Sequence, residues 1–162
     1  MTQFLFNSEI PLWRYSLQVA LLAILPSMAI VEIVGFVMVL AGLNLSRFDA
    51  PPTSISIGGV FGTIVFAPVI ETFILALLIA FLSLFMSNKL KIAVVCGIAW
   101  GFFHAIFGLL WFFGPAWGFF ILSCAFLAWR EKSFKQAYIA AFIPHVLNNA
   151  IMVLVMLFSK HA

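Results

Sequence analysis

The segment APVIETFILALL, residues 67–78, places a single carboxylate, Glu71, in a run of side chains otherwise suited to a lipid environment. A charged carboxylate near the centre of a bilayer costs roughly 2.5–3.5 kcal/mol or more, so such a residue normally faces the protein interior and finds a polar partner. Other apolar segments contain His104, His145 and Asn149. We therefore treat Glu71 as the centre of a membrane-embedded site, with these three side chains as its candidate partners.

The composition of the whole chain is that of a membrane protein. Of the 162 residues, 65% are hydrophobic and 8% are charged, which is far from the balance of a soluble globular domain. The net charge of +3 is small, and the basic residues lie near segment ends, which is typical of topology signals and not of a nucleic-acid surface. The sequence predicts an all-α, polytopic membrane helix bundle without a nucleic-acid partner.

Apolar runs predict about five transmembrane spans, with bounds of 15–43, 57–86, 90–113, 116–129 and 136–158. Pro51 and Pro52 mark a linker over residues 44–56, because paired prolines cannot continue a helix. The pair Gly114-Pro115 predicts the end of the third span. Glycines between 58 and 62 predict a loose or re-entrant start to the second span.

The distribution of Lys and Arg predicts the orientation of these spans. A cytoplasmic N-terminus and an outer C-terminus put six basic residues inside and two outside, the inner set being Arg14, Lys89, Lys91, Arg130, Lys132 and Lys135 and the outer set Arg47 and Lys160. Cys96 and Cys124 lie in apolar runs without disulfide or metal-ligand spacing, so we expect small packing residues. The expected location is a bacterial plasma membrane.

Counting along the helices at about 1.5 Å per residue brings the polar side chains to similar depths. Glu71 and His104 each lie about fifteen residues from the inner end of their spans, and Asn149 lies at a similar level. His145 is about one turn nearer the cytoplasm. Each histidine has small residues on its own helix face. They are Gly97, Gly101 and Gly108 in the third span and Ala137 and Ala141 in the fifth.

Three motifs in this order resemble the CPBP family of intramembrane proteases, which includes the type II CAAX prenyl endopeptidases. The family pattern is Glu-Glu-x-x-x-Arg, then Phe-x-x-x-His, then His-x-x-x-Asn on successive core helices. The matching stretches here are ETFILA at 71–76, WGFFH at 100–104 and HVLNN at 145–149. Thr72 stands where the family has a second glutamate, Ala76 where it has an arginine, and Trp100 where it has a phenylalanine.

The resemblance implies a four-helix catalytic core over residues 57–162, preceded by an N-terminal segment, first span and Pro-rich linker over residues 1–56. It implies hydrolysis of a peptide bond in a hydrophobic or lipid-modified peptide or membrane protein. Glu71 would be the general base, His104 would hold the attacking water, and His145 and Asn149 would bind the oxyanion. No cofactor is expected. Two histidines and a glutamate could also hold zinc with an open position, but the His-x-x-x-Asn pair favours a metal-free site.

Structural interpretations stand beside these functional ones. A lone Glu or His in a span often hydrogen-bonds between helices without any further role. Glu32 could join the site or contact a Ser or Thr on another helix, and the structural role is favoured. Asn148 is expected to be interhelical polar packing. The alternative functions are a non-catalytic relative that acts as a membrane scaffold or binding partner, and a proton-coupled transporter component, against which the short chain and lack of an inverted repeat count.

Overall fold

The computed structural model describes residues 2–45 and 56–159. These residues form seven α-helices, α1 Thr2–Leu5, α2 Leu12–Leu40, α3 Ile57–Phe61, α4 Ala67–Leu82, α5 Lys89–Ala105, α6 Phe113–Trp129 and α7 Phe134–Ser159. A π-helical turn, Gly62–Phe66, joins α3 to α4, and a 3-10 turn, Leu109–Phe112, leads into α6. Most of the predicted linker, residues 46–55, lies outside the described residues.

The predicted all-α membrane bundle is confirmed. Among the described residues, four stretches are long and apolar enough to cross a bilayer, namely Leu12–Leu40, Ile57–Leu82, Leu109–Trp129 and Phe134–Phe158. The remaining predicted span corresponds to α5, which has 17 residues and begins with Lys89. At about 1.5 Å per residue α5 is shorter than a hydrocarbon core of about 30 Å. By length and composition, the described residues therefore supply four spanning stretches where the sequence predicted five.

Two predicted boundaries are wrong. The third predicted span ends at Ala105 and not at Gly114-Pro115, because that pair lies in the first turn of α6, where the missing N–H of proline costs nothing. The segment Ile57–Phe61 is a regular helix and not a loose or re-entrant start. The Ser56 hydroxyl accepts a hydrogen bond from the Gly59 N–H at 3.1 Å, and this N-cap satisfies a donor that would otherwise be unpaired.

Helix α6 is the centre of the bundle. Its C-terminal part is buried on all sides, with Phe119 and every residue from Ile121 to Trp129 in the core, as expected for a helix that is apolar all round. Helices α2, α5 and α7 pack around it. Two polar contacts fix α2 against α6: the Trp117 indole donates to the Leu22 carbonyl at 2.8 Å, and the Ser27 hydroxyl donates to the Gly114 carbonyl at 3.0 Å.

Glycines on α5 allow the close approach of α6. A Cβ added to Gly97 would lie 2.5 Å from the Ala116 carbonyl oxygen, and one added to Gly101 would lie 2.8 Å from the Ala116 Cβ. The predicted small-residue face is therefore confirmed for these two glycines, whereas Gly108 lies beyond the end of α5. Cys96, beside Gly97, and Cys124 on α6 are both buried free thiols in the core, which confirms their packing role.

Polar contacts join the turns at one end of the bundle. The Lys89 ammonium donates to the Glu131 carboxylate, Arg130 donates to the Ser83 hydroxyl at 2.8 Å, and Lys132 contacts the Ser8 carbonyl. The hydrogen bond and charge of Lys89 hold the pKa of Glu131 below its ordinary value. The basic turns therefore lie at one end of the bundle. Which side of the membrane that end faces stays a prediction.

Replacing Gly97 by Ala should destabilise the bundle, because the new Cβ would overlap a backbone oxygen that cannot rotate away. We expect a loss of about 1–3 kcal/mol in the free energy of unfolding, measured in detergent micelles. Gly58→Ala is the matched control, since a Cβ there meets nothing within 4 Å and alanine favours a helix by about 0.5–1 kcal/mol. Equal stability of the two variants would contradict the close α5–α6 packing.

Candidate functional site

Glu71 and His145 meet between α4 and α7. The Oε2 atom of Glu71 lies 3.3 Å from Nε2 of His145, and their side chains are 23% and 6% exposed. Glu71 flanks the buried face of α4, while His145 follows Pro144 in the middle of α7. Two of the four predicted site residues, which are far apart in sequence, thus form a carboxylate–imidazole pair in the interior of an apolar bundle.

Thr72 contacts the other nitrogen of the same imidazole. Its Oγ1 atom lies 3.4 Å from Nδ1 of His145, and both side chains are buried. When Glu71 is ionised it can only accept, so Nε2 of His145 carries the proton toward Glu71 and Nδ1 accepts from the Thr72 hydroxyl. One tautomer therefore satisfies both contacts. Two consecutive residues of α4 hold the His145 ring from both of its nitrogens.

By resemblance alone, Thr72 is only the position where the CPBP pattern has a second glutamate. The structure shows that it is part of the site. A signal was present, because Thr72 shares the period of the buried residues Leu75, Ala76 and Ile79 and is therefore expected to point into the bundle. Ala76, where the family has arginine, is 5% exposed on the same face.

Asn149 does not contact Glu71 or His145 in the described structure; its side-chain amide donates to the Thr63 carbonyl at 2.8 Å. Thr63 lies in the π-helical turn, where the Ala67 N–H bonds the Gly62 carbonyl five residues earlier. If the same five-residue pattern continued, the Thr63 carbonyl would accept from the N–H of residue 68. That residue is Pro68, which has no N–H. Asn149 thus supplies the hydrogen bond that the proline cannot, and it fixes the turn that leads into Glu71.

His104 lies in the last turn of α5 and is held by its own helix. Its Nδ1 atom is 2.9 Å from the Trp100 carbonyl oxygen. Within the described ranges no hydrogen bond or ion pair joins it to Glu71. Phe119 connects the two histidines by packing, with ring centroids 5.8 Å from His104 and 5.1 Å from His145. His104 is therefore a neighbour of the Glu71–His145 pair and not a direct partner of it.

The side chains considered as zinc ligands make their contacts at separate points of the described structure. In residues 2–45 and 56–159, no three His, Cys, Asp or Glu side chains are grouped as metal ligands. Both nitrogens of His145 already face Glu71 and Thr72, and His104 lies apart from them. The side chains that a three-ligand site would need are consequently not converged on one point.

Two further polar residues of the spans lie outside this site. Glu32 is exposed on α2, so it does not join the Glu71–His145 pair. Asn148, with its amide oriented to donate, reaches the Ala20 carbonyl on α2 at 3.2 Å, which agrees with the predicted interhelical packing role.

Comparisons with protein-family models, curated proteins and solved structures gave no match for this chain. The resemblance to CPBP proteases therefore rests on the three motifs alone.

If Asn149 replaces the hydrogen bond that Pro68 cannot make, the effects of Asn149→Ala and Pro68→Ala on the free energy of unfolding should not be additive. Asn149→Ala leaves the Thr63 carbonyl unpaired and should cost about 1–3 kcal/mol in the free energy of unfolding. In a Pro68→Ala background, residue 68 has an N–H for that carbonyl, so Asn149→Ala should cost clearly less. Chemical unfolding of the four proteins of this double-mutant cycle measures the difference, and an equal cost in both backgrounds would show that Pro68 does not create the need for Asn149.

The contact between Thr72 and His145 predicts the effect of removing one hydroxyl. Thr72→Val keeps the shape of the side chain but leaves Nδ1 of His145 without a donor, and we expect a loss of about 1 kcal/mol in unfolding free energy. The ¹⁵N resonance of Nδ1 of His145 should also shift, because it loses its hydrogen bond, while Glu71 still keeps the proton on Nε2. Thr72→Ser keeps the hydroxyl and should keep the Nδ1 shift; an unchanged Nδ1 shift in Thr72→Val would rule out the contact.

Proposed function

We propose that this chain is an intramembrane endopeptidase in which Glu71 activates water to hydrolyse a peptide bond of a hydrophobic or lipid-modified peptide. The observation that carries the proposal is the 3.3 Å contact between the Glu71 carboxylate and the His145 imidazole inside an apolar bundle. Acid–base pairs of this kind are expensive to place among spanning helices and are usually functional. The order of the three motifs supports the same class of reaction.

In this mechanism Glu71 takes a proton from water while the water oxygen bonds to the carbonyl carbon of the substrate. His145 orients the carboxylate through the N–H that its Nε2 donates to Glu71. When the carbon–nitrogen bond breaks, Glu71 returns the proton to the leaving amine. Every proton is thereby accounted for by one carboxylate and one water molecule.

The remaining residues have supporting roles in the proposal. His104 keeps Nε2 without a partner among the described residues, since only its Nδ1 is engaged by the Trp100 carbonyl. In this tautomer that nitrogen is an acceptor, so it is suited to hold the attacking water. Asn149 is a positioning residue, because its amide donates to Thr63 and sets the geometry of the turn before Glu71. Thr72 likewise acts through His145.

A second candidate function is a non-catalytic membrane scaffold or binding partner. The favouring observation is that both nitrogens of His145 and the amide of Asn149 bond to groups of the Ile57–Leu82 segment. Polar side chains used in this way hold helices together without any reaction. The two functions differ in what they require of Glu71, because only the enzyme needs it as a base.

Cleavage assays with the purified chain in liposomes separate the two functions. The substrates are quenched fluorogenic peptides, some purely hydrophobic and some with a lipid-modified cysteine, and mass spectrometry locates the cut. Glu71→Gln should lower the rate by about 10²–10⁴-fold, the range for loss of a general base. Glu32→Gln is the matched control and should leave the rate unchanged, because Glu32 lies outside the site.

Retention of cleavage in Glu71→Gln would overturn the enzymatic proposal. Absence of cleavage by the unaltered chain across the whole peptide panel would favour the scaffold. A preserved fold in each variant, shown by an unchanged helical circular dichroism spectrum, assigns any loss of rate to the chemistry.

A further inference from the structure

The face of α2 that points away from the bundle carries two polar side chains without partners in the described part of the chain. Gln18 and Glu32 are both exposed, and neither forms a hydrogen bond or ion pair with a described residue. Glu32 lies eight residues before the helix end at Leu40, about 12 Å along the axis. Lipid tails cannot satisfy a carboxylate or an amide, so another polar group is needed on this face.

The spacing of the two residues places them on a single line along α2. Gln18, Leu25, Glu32 and Val39 are separated by seven residues each, and all four are exposed. A seven-residue repeat keeps side chains at the seam between two helices that coil around each other. Ala29, also exposed, lies one turn before Glu32 and leaves room for a second backbone to approach.

We infer that this face of α2 is the interface of a parallel homodimer, and that a second copy of the chain covers it. A twofold axis along the membrane normal would place each of the four seam residues opposite its own counterpart. The glutamine amide both donates and accepts, and two carboxyl groups that share one proton do the same. Each polar position therefore complements itself. An unrelated helix would instead need a matched amide and a basic group at the spacing of Gln18 and Glu32.

This inference is independent of the proposed catalytic role, because Glu71 and His145 lie on α4 and α7. It assigns to Glu32 a function that the site does not use. It also explains why an acidic residue is tolerated on an outward-facing surface that otherwise exposes large apolar side chains such as Leu21, Leu25 and Phe36.

Disulfide cross-linking of the full chain in liposomes tests the interface. A cysteine at Leu25 would face its counterpart across the twofold axis, so Leu25→Cys should form a covalent dimer under mild oxidation. Leu77→Cys and Leu154→Cys are matched controls, since these leucines are 56% and 51% exposed on other helices against 61% for Leu25. The native Cys96 and Cys124 are buried, so the unaltered chain gives the background level of cross-linking. Equal cross-linking at all three positions would overturn the inference.

Substitution of Glu32 in the chain with the native Leu25 tests the polar contact itself, with dimer dissociation followed by energy transfer between labelled copies in liposomes. Glu32→Ala should raise the dimer dissociation constant about fivefold, as expected for loss of one intramembrane hydrogen bond. Glu32→Gln should retain the dimer, because glutamine is also self-complementary. Neither change should alter folding, since Glu32 contacts no polar group of the described chain. A dimer that is as stable with alanine as with glutamate would refute the role of Glu32.

Discussion

Both nitrogens of the His145 imidazole need hydrogen-bond partners, and the lipid and apolar side chains around them provide none. A buried polar group without a partner there pays the full cost of leaving water, because no new hydrogen bond replaces those to water. The chain meets this requirement with two consecutive residues of α4, Glu71 on one nitrogen and Thr72 on the other. The position of α4 against α7 follows from this double contact, because a shift of either helix would break one of the two bonds.

Two further hydrogen bonds hold the Ile57–Leu82 segment against α7. Tyr138 donates to the Val69 carbonyl at 2.8 Å, and Asn149 donates to the Thr63 carbonyl. In the described residues, every side-chain hydrogen bond from the Ile57–Leu82 segment to another helix goes to α7. The remaining helices are joined mainly by apolar packing around α6, where Gly97 and Gly101 set the distance. Polar contacts thus position the site, and close packing supports the bundle around it.

Much of the fold could be predicted because apolar runs in this chain are long and their ends carry charge. The prediction failed at Gly114-Pro115, since that pair is compatible with either the end of one helix or the start of the next, and only the packing of α6 decides between them. It failed again at Gly58 and Gly59, where the N-cap of Ser56 outweighs the low helix propensity of glycine.

The site was predictable to the extent that it depends on residue type. A Glu and a His are costly among spanning helices, so their convergence could be expected before any coordinates. The depth count, however, matched Glu71 with His104, whereas the structure pairs it with His145. The role of Asn149 could not, because its partner is a backbone carbonyl that becomes free only when a π-helical turn precedes Pro68. The side on which Glu32 lies also escaped prediction, since the inward face of α2 is defined by Tyr15, Val19 and Ala23 against α6 and not by hydropathy alone.

The most direct test of this account is a solid-state NMR distance between the Glu71 carboxyl carbon and Nε2 of His145 in the chain reconstituted in lipid. The account predicts strong dipolar dephasing, consistent with the 3.3 Å separation of the Glu71 oxygen and the His145 nitrogen. The same experiment between Glu32 and His145 should give no dephasing. Absence of coupling for the Glu71 pair would contradict the arrangement of the site and the function proposed from it.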